Sequence, residues 1–260
     1  MDSQHIDFLQ SVHSLLLYHR TLGIDGYPAG ASPLRFLEAA DVPAKTFTAL
    51  TETSRTRAVP AEESPSELQS ATKCDIVDEV SSCTRCILHT KRLLSVAGAG
   101  SEQPRLLIVG GWLVGEEGAK IPPECVLGPA EDGMISRMLA AMMLPPEKAF
   151  ITNVIKCAIP DACQPTTENI HTCFSYLLRQ ITALDPEIIC TMGIVATRAL
   201  LKNSLPLSQL RGKFYPFAVS DRKSIPVIPT YHPTFLLKNP AFKKATWEDL
   251  QSIAKLLKIR

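Results

Sequence analysis

The stretch R-L-L-I-V-G at residues 105–110 is apolar on nearly every position. A run of that length and texture suits a strand covered on both faces, as in a parallel sheet. Three more runs share it, at residues 150–156, 188–192 and 225–230. Helical patterns lie around and between them at residues 133–143, 167–184, 195–202 and 246–257. Strand–helix alternation predicts an α/β fold, a three-layer α/β/α sandwich around a short parallel sheet. Ligands of such sheets bind beyond the carboxyl ends of the strands. The segments that follow strands there are residues 110–118, 153–157 and 231–237.

The chain of 260 residues has room for this domain and an appendage. Ile6, Leu9, Val12, Leu15, Leu16 and Leu17 recur near helical spacing, and Gly23 is a natural stop. We therefore expect an N-terminal helix within residues 1–24. Residues 25–71 carry five prolines among Ala, Ser, Thr and Glu and read as a flexible linker, with one short helix possible at residues 34–40. Residues 72–260 form the expected α/β domain. Residues 1–71 hold five Lys/Arg against nine Asp/Glu, whereas residues 72–260 hold 22 against 17. A mildly basic body fits an anionic partner such as nucleic acid. No apolar run reaches the roughly 18–20 residues of a membrane span. The opening M-D-S-Q-H-I-D is no secretory leader, so a cytoplasmic location is expected.

Eight cysteines in a reducing compartment point to metal binding or chemistry before disulfides. Cys83 and Cys86 form a C-x-x-C pair; Cys157 follows after 70 residues and Cys173 after 15 more. Thiolates so arranged suit zinc or an iron–sulfur cluster, and spacing does not choose between them. Cys74, Cys125, Cys163 and Cys190 read as small buried apolar residues, with Cys163 the rival ligand.

Several motifs in order resemble the family 4, iron–sulfur type of uracil-DNA glycosylase. They are F-I-T-N-V-I-K-C at 150–157, Cys173 on a helix, L-R-G at 210–212, P-T-Y-H-P-T-F-L-L-K-N-P at 229–240 and W-E-D-L at 247–250. The resemblance covers the chain from about Cys83 onward. It implies excision of uracil, or another deaminated base, from single- or double-stranded DNA. It also implies a structural [4Fe–4S] cluster on Cys83, Cys86, Cys157 and Cys173. A monomer off the membrane is expected. The first catalytic loop departs from the family: in G-W-L-V-G-E-E-G, at 111–118, Trp112 replaces an acidic residue and Val114 a proline. Val126 stands where the family has a base-stacking aromatic, or Cys125 does if the alignment slips by one.

Breaking an N-glycosidic bond puts negative charge on the departing base and positive charge on the sugar. His232, after a strand and before Pro233, is the candidate anion stabiliser, and Asn153 offers a donor and an acceptor to read one base edge. Gly111 and Gly115 would let the backbone approach the base. Glu116 or Glu117 would orient water, or serve a helix dipole. Trp112 either takes over stacking or packs beneath its loop. Arg85, Lys91, Arg92, Lys156, Arg211, Lys213 and Lys238 are candidate phosphate contacts. Leu236 and Leu237 would wedge the duplex or fill the core. Two alternatives remain: an iron–sulfur DNA-binding protein of the same fold, with catalysis lost through Trp112 and Val126, and a zinc-bound nucleotide-binding enzyme.

Overall fold

The computed structural model describes residues 73–116, 118, 120–220 and 223–259. The expected N-terminal helix, the linker and Glu117 lie outside them. In chain order the elements are α1 (Lys73–Ser82), β1 (Leu94–Ser95), β2 (Ala99–Gly100), β3 (Leu106–Gly110), β4 (Val114–Gly115), α2 (Pro129–Ala141), β5 (Ala149–Asn153), β6 (Cys157–Pro160), α3 (Thr167–Leu184), β7 (Ile188–Met192), α4 (Ile194–Leu201), α5 (Leu207–Leu210), β8 (Tyr215–Ser220), β9 (Lys223–Thr230), α6 (Pro233–Lys238) and α7 (Lys243–Leu256).

The apolar runs make the main sheet, in the order β2-β5-β3-β7-β9-β8. Its four middle strands are parallel, and β2 and β8 are antiparallel edges. Alternation along each strand builds the three layers. Leu106 and Ile108 face one way, into a cluster with Ile135 and Leu139 of α2 and Leu250 and Ile253 of α7. Leu107 and Val109 face the other way, toward Leu177 and Ile181 of α3 and Ala196 and Leu200 of α4. Leu177 is fully buried. The Leu177→Ala chain is expected to lose about 2–5 kcal/mol of stability, read from its denaturant midpoint.

Helix starts follow local chemistry. α3 begins as expected because Thr166 and Asn169 form a capping box, each side chain bonding the other's backbone N–H. α2 begins four residues before the expected 133. Gly128 turns there at φ 139°, Pro129 suits the first helical position, and Glu131 and Asp132 favour the first turn.

The expected strand 150–156 ends at Asn153. The next two amides, Val154 and Ile155, donate to the carbonyls of Gly110 and Gly111 at 3.0 Å each. The chain thereby crosses the end of β3 and restarts as β6 in a second sheet, ordered β1-β6-β4. Among the described residues no helix is long and apolar enough to cross a membrane.

Candidate active site and thiol cluster

Parallel strands deliver their carboxyl ends to one edge of the sheet. Gly110 ends β3, Asn153 ends β5 and His232 lies two residues past β9. They converge. A Cβ placed on Gly110 would stand 2.5 Å from Asn153 Oδ1 and 3.4 Å from His232 Nε2, and would also strike Leu127 Cδ2. Glycine is required at 110 for that close approach. Gly111 has only Val195 near its Cβ direction, at 3.8 Å, and Gly115 packs against Ile121 and Leu93.

Asn153 is 0% exposed. Its Nδ2 donates to the Val126 carbonyl at 2.5 Å, which fixes which end of the amide faces the site. Its Oδ1 is buried with no hydrogen-bond partner. A buried acceptor left this way costs about 1–3 kcal/mol until a donor reaches it. The loop that supplies the Val126 carbonyl is itself pinned. The amides of Val126 and Leu127 donate to the two carboxylate oxygens of Asp132 at 2.9 and 3.1 Å.

His232 caps α6, and its Nδ1 faces the Thr234 amide at 3.3 Å and the Thr234 hydroxyl at 3.2 Å. With Nδ1 accepting from that amide, the neutral ring carries its proton on Nε2, the nitrogen near Gly110. The ring keeps a partly exposed edge but is deep enough for desolvation to push its pKa down to about 4, against the opposing charges of Glu131 and Asp132. It is therefore uncharged at neutral pH.

Three of the quoted motifs interlock behind this site. Arg211 donates to both oxygens of Asp249, at 3.1 and 2.8 Å, and the Thr230 hydroxyl donates to Asp249 at 2.6 Å. Burial raises the Asp249 carboxyl pKa, opposed by Thr230 and the Arg211 charge. The network ties the end of β9, and so the His232 loop, to α7.

Other expected site residues are placed as follows. Trp112 packs against the apolar cluster that holds the cysteines, and its indole N–H is buried without a partner. Val126 is buried in the main core, and the apolar tip beside Gly110 belongs to Leu127. Glu116 is exposed. Leu236 is core and Leu237 is exposed.

Two of the expected phosphate contacts are corrected. Lys156 is 2% exposed and donates to Thr152 Oγ1, the Asn153 carbonyl and Gln180 Oε1, at 2.7, 2.8 and 2.5 Å, so it cannot reach a phosphate. Desolvation lowers its pKa to about 7, with Cys173 opposing. Arg211 is committed to Asp249 and lies over the Tyr231 ring at 5.5 Å. Lys91, Lys213 and Lys238 are exposed.

Cys83, Cys86, Cys157 and Cys173 line one pocket with Arg85, His89, Lys156 and Tyr176. C-x-x-C lies between α1 and a 3-10 turn at Ile87–Lys91, Cys157 opens β6 and Cys173 is on α3. The Lys156 amide donates to Cys173 Sγ at 3.3 Å. Arg92 is held by the carbonyls of Val80 and Ser81 at 3.0 and 2.7 Å. Burial pushes the Cys157 thiol up to about 11 and raises the Cys173 thiol, the nearby cation of Lys156 opposing at Cys173. Cys163 packs on the same apolar cluster without lining the pocket, and Cys125 and Cys190 are buried apolar residues. Among the described residues no group of three or more His, Cys, Asp or Glu is arranged to hold a metal ion.

Reading the sequence missed Gly110, Leu127, Glu131 and Asp132. The acidic pair just after G-P-A was the available signal for the last two. The family model of the Uracil DNA glycosylase superfamily matches residues 97–251, a span that holds Gly110, Asn153, Cys157, Cys173 and His232. The Type-4 uracil-DNA glycosylase of Archaeoglobus fulgidus is 32% identical over 186 residues, covering 70% of this chain and 92% of that one. Those of Saccharolobus solfataricus and Thermotoga maritima are 33% and 30% identical, over 70% and 71% of this chain and 85% and 94% of their own lengths. With strand ends, site and likeness agreeing over more than half its length, the chain belongs to the uracil-DNA glycosylase superfamily.

Proposed function

We propose that this chain is a DNA base-excision enzyme that hydrolyses the N-glycosidic bond of uracil. The observation that carries the reading is the orphaned, buried Oδ1 of Asn153 beside Nε2 of His232 over a side-chain-free Gly110. A base turned out of the stack presents N3–H to that oxygen. The second hydrogen of Nδ2 is free for the neighbouring base oxygen. Cytosine offers a lone pair at N3, which would meet Oδ1 lone pair to lone pair, and is rejected. His232 Nε2–H donates to the base oxygen on which negative charge grows, a bond that strengthens as the glycosidic bond breaks. Leu127 supplies an apolar wall. Glu116, exposed on the loop after β4, is the candidate among the described residues to orient the attacking water; Glu117 lies outside them.

Cys83, Cys86, Cys157 and Cys173 are the residues that would hold the [4Fe–4S] cluster. Their donor set fits: four thiols share one pocket, with a buried lysine beside them to offset thiolate charge. When bound, the cluster would tie the turn after α1 to β6 and α3; the hydrolysis described above rests on the chain's own residues.

The deciding experiment is base release from oligonucleotides carrying uracil, hypoxanthine or xanthine, single-stranded and paired. We expect uracil release well above a His232→Ala control. No release above that control from any of the three would leave the DNA-binding alternative. A second expectation concerns pH. A neutral ring is needed, and the folded pKa of His232 lies near 4. Its contribution is complete above about pH 5 and lost only as pH falls through about 4. The kcat/KM profile should show no limb at the ordinary histidine value of about 6.5; a limb there would contradict a buried neutral ring.

A further inference from the structure

Behind His232, on the side away from Gly110, runs a hydrogen-bonded chain that the hydrolysis described above does not use. Thr234 Oγ1 donates to Glu131 Oε1 at 2.9 Å and stands 3.2 Å from His232 Nδ1. Glu131 comes from the first turn of α2, a different element from the α6 turn that holds His232 and Thr234. The carboxylate is held tight against the backbone at Gly128, where an added Cβ would collide with its other oxygen.

We propose that Glu131, acting through the Thr234 hydroxyl, is a positioning residue that anchors the Nδ1 edge of His232 and sets the proton affinity of the ring. The proposal rests on the reading of His232 as the group facing the departing base. Glu131 fixes the Thr234 hydroxyl as a donor to itself, so that hydroxyl cannot also donate to Nδ1. It offers Nδ1 only a lone pair, which attracts a proton there. The ring then keeps two options on its far side: accept from the Thr234 amide while neutral, or donate to the Thr234 oxygen once charged. During hydrolysis the ring stays in the first, neutral state, with the Thr234 turn holding Nε2–H aimed at the base oxygen on which charge grows; the second is reached only when solvent protonates the ring at low pH. Without the carboxylate, the hydroxyl would turn its hydrogen to Nδ1 and lock the ring neutral.

The other groups facing the ring do not substitute. Asp132, the second carboxylate of α2, adds its field but has both oxygens occupied by the Val126 and Leu127 amides. Asn153 from β5 is a neutral amide. Gly193, after β7, presents only backbone: a Cβ added there would stand 3.2 Å from His232 Cβ.

The test is the full chain with isotope-labelled histidine, in which ring nitrogen shifts follow His232 as pH is lowered, alongside kcat and KM for uracil release. Glu131→Gln is expected to lower the protonation midpoint of His232 by at least about half a unit, roughly threefold in proton affinity. It should lower kcat with little change in KM. Thr234→Val should reproduce both effects, and Thr234→Ser, which keeps the hydroxyl, should restore wild-type values. The proposal is overturned if the midpoint is the same in wild type, Glu131→Gln and Thr234→Val, or if Thr234→Ser behaves like Thr234→Val. Should the Gln variant fail to fold, the two Thr234 variants decide alone. The midpoint is measured without substrate. A wild type that releases no uracil therefore counts against the proposed function, whereas an insensitive midpoint counts against the Glu131 chain.

Discussion

Uracil release by the Asn153→Leu chain is expected to fall by about 10²–10³-fold or more in kcat/KM. Leucine keeps the branching of asparagine with bulkier methyl groups and removes both halves of the amide. The base would then bury an N–H and a carbonyl against hydrocarbon, with about 1–3 kcal/mol lost for each unpaired group. Sites built around such bonds reject partners lacking them by large factors. A second loss follows, because the Val126 carbonyl surrenders its bond from Nδ2. Single-turnover release on a uracil oligonucleotide, with a thermal melt to show that the sheet persists, measures the effect. A loss below tenfold with an intact fold would remove Asn153 from the site.

On the proposed cluster assignment, the Cys173→Ser chain should lose iron and acid-labile sulfide together, and with them about 4 kcal/mol or more of stability. Binding to a site assembled only on folding is itself folding free energy. For a domain of this size each kcal/mol is worth about 2–4 °C of Tm, so the melt should drop by roughly 8 °C or more. Serine is nearly isosteric but has a far less acidic, harder donor atom. The Lys156 amide would keep an acceptor in place of Cys173 Sγ, which limits the loss from packing alone. Metal analysis and absorption spectra of wild type and variant check this. Wild type carrying zinc and no iron would revive the alternative metal. A serine variant with undiminished iron would move the site elsewhere.

The central strands were legible because each is buried on both faces, which leaves a run of apolar residues that nothing else explains. α3 was legible because its capping box is written locally as T-T-E-N. The β8–β9 hairpin was half missed. β8 is an edge strand with Pro216 in it, and its residues alternate toward solvent. Edge strands of that kind leave only a weak apolar signal. The end of strand 150–156 was misplaced because the cause lies elsewhere in the chain, in the carbonyls of Gly110 and Gly111.

At the site, sequence reading chose Gly111 as the point of close approach, while Gly110 is the glycine facing Asn153 and His232. Two adjacent glycines look alike until the pleat of β3 assigns each a face. Lys156 was mistaken for a phosphate contact for a related reason. A lysine beside a cysteine says nothing about direction, and the bend after Asn153 turns this one inward. The Glu131–Thr234 bond joins residues 103 apart in sequence, a partnership no local pattern encodes.

Asn153, the proposed base-reading amide, and Cys157, the third thiol of the pocket, are separated by only three residues, Val154, Ile155 and Lys156, and all three are immobilised. Two are pinned by their amides to the end of β3, and the last by its amide to Cys173 and by its ammonium to Asn153. This link has no slack. A single residue inserted or deleted there could be absorbed at neither end, so grafts that exchange the proposed recognition pocket between relatives must carry Cys157 with it as one cassette.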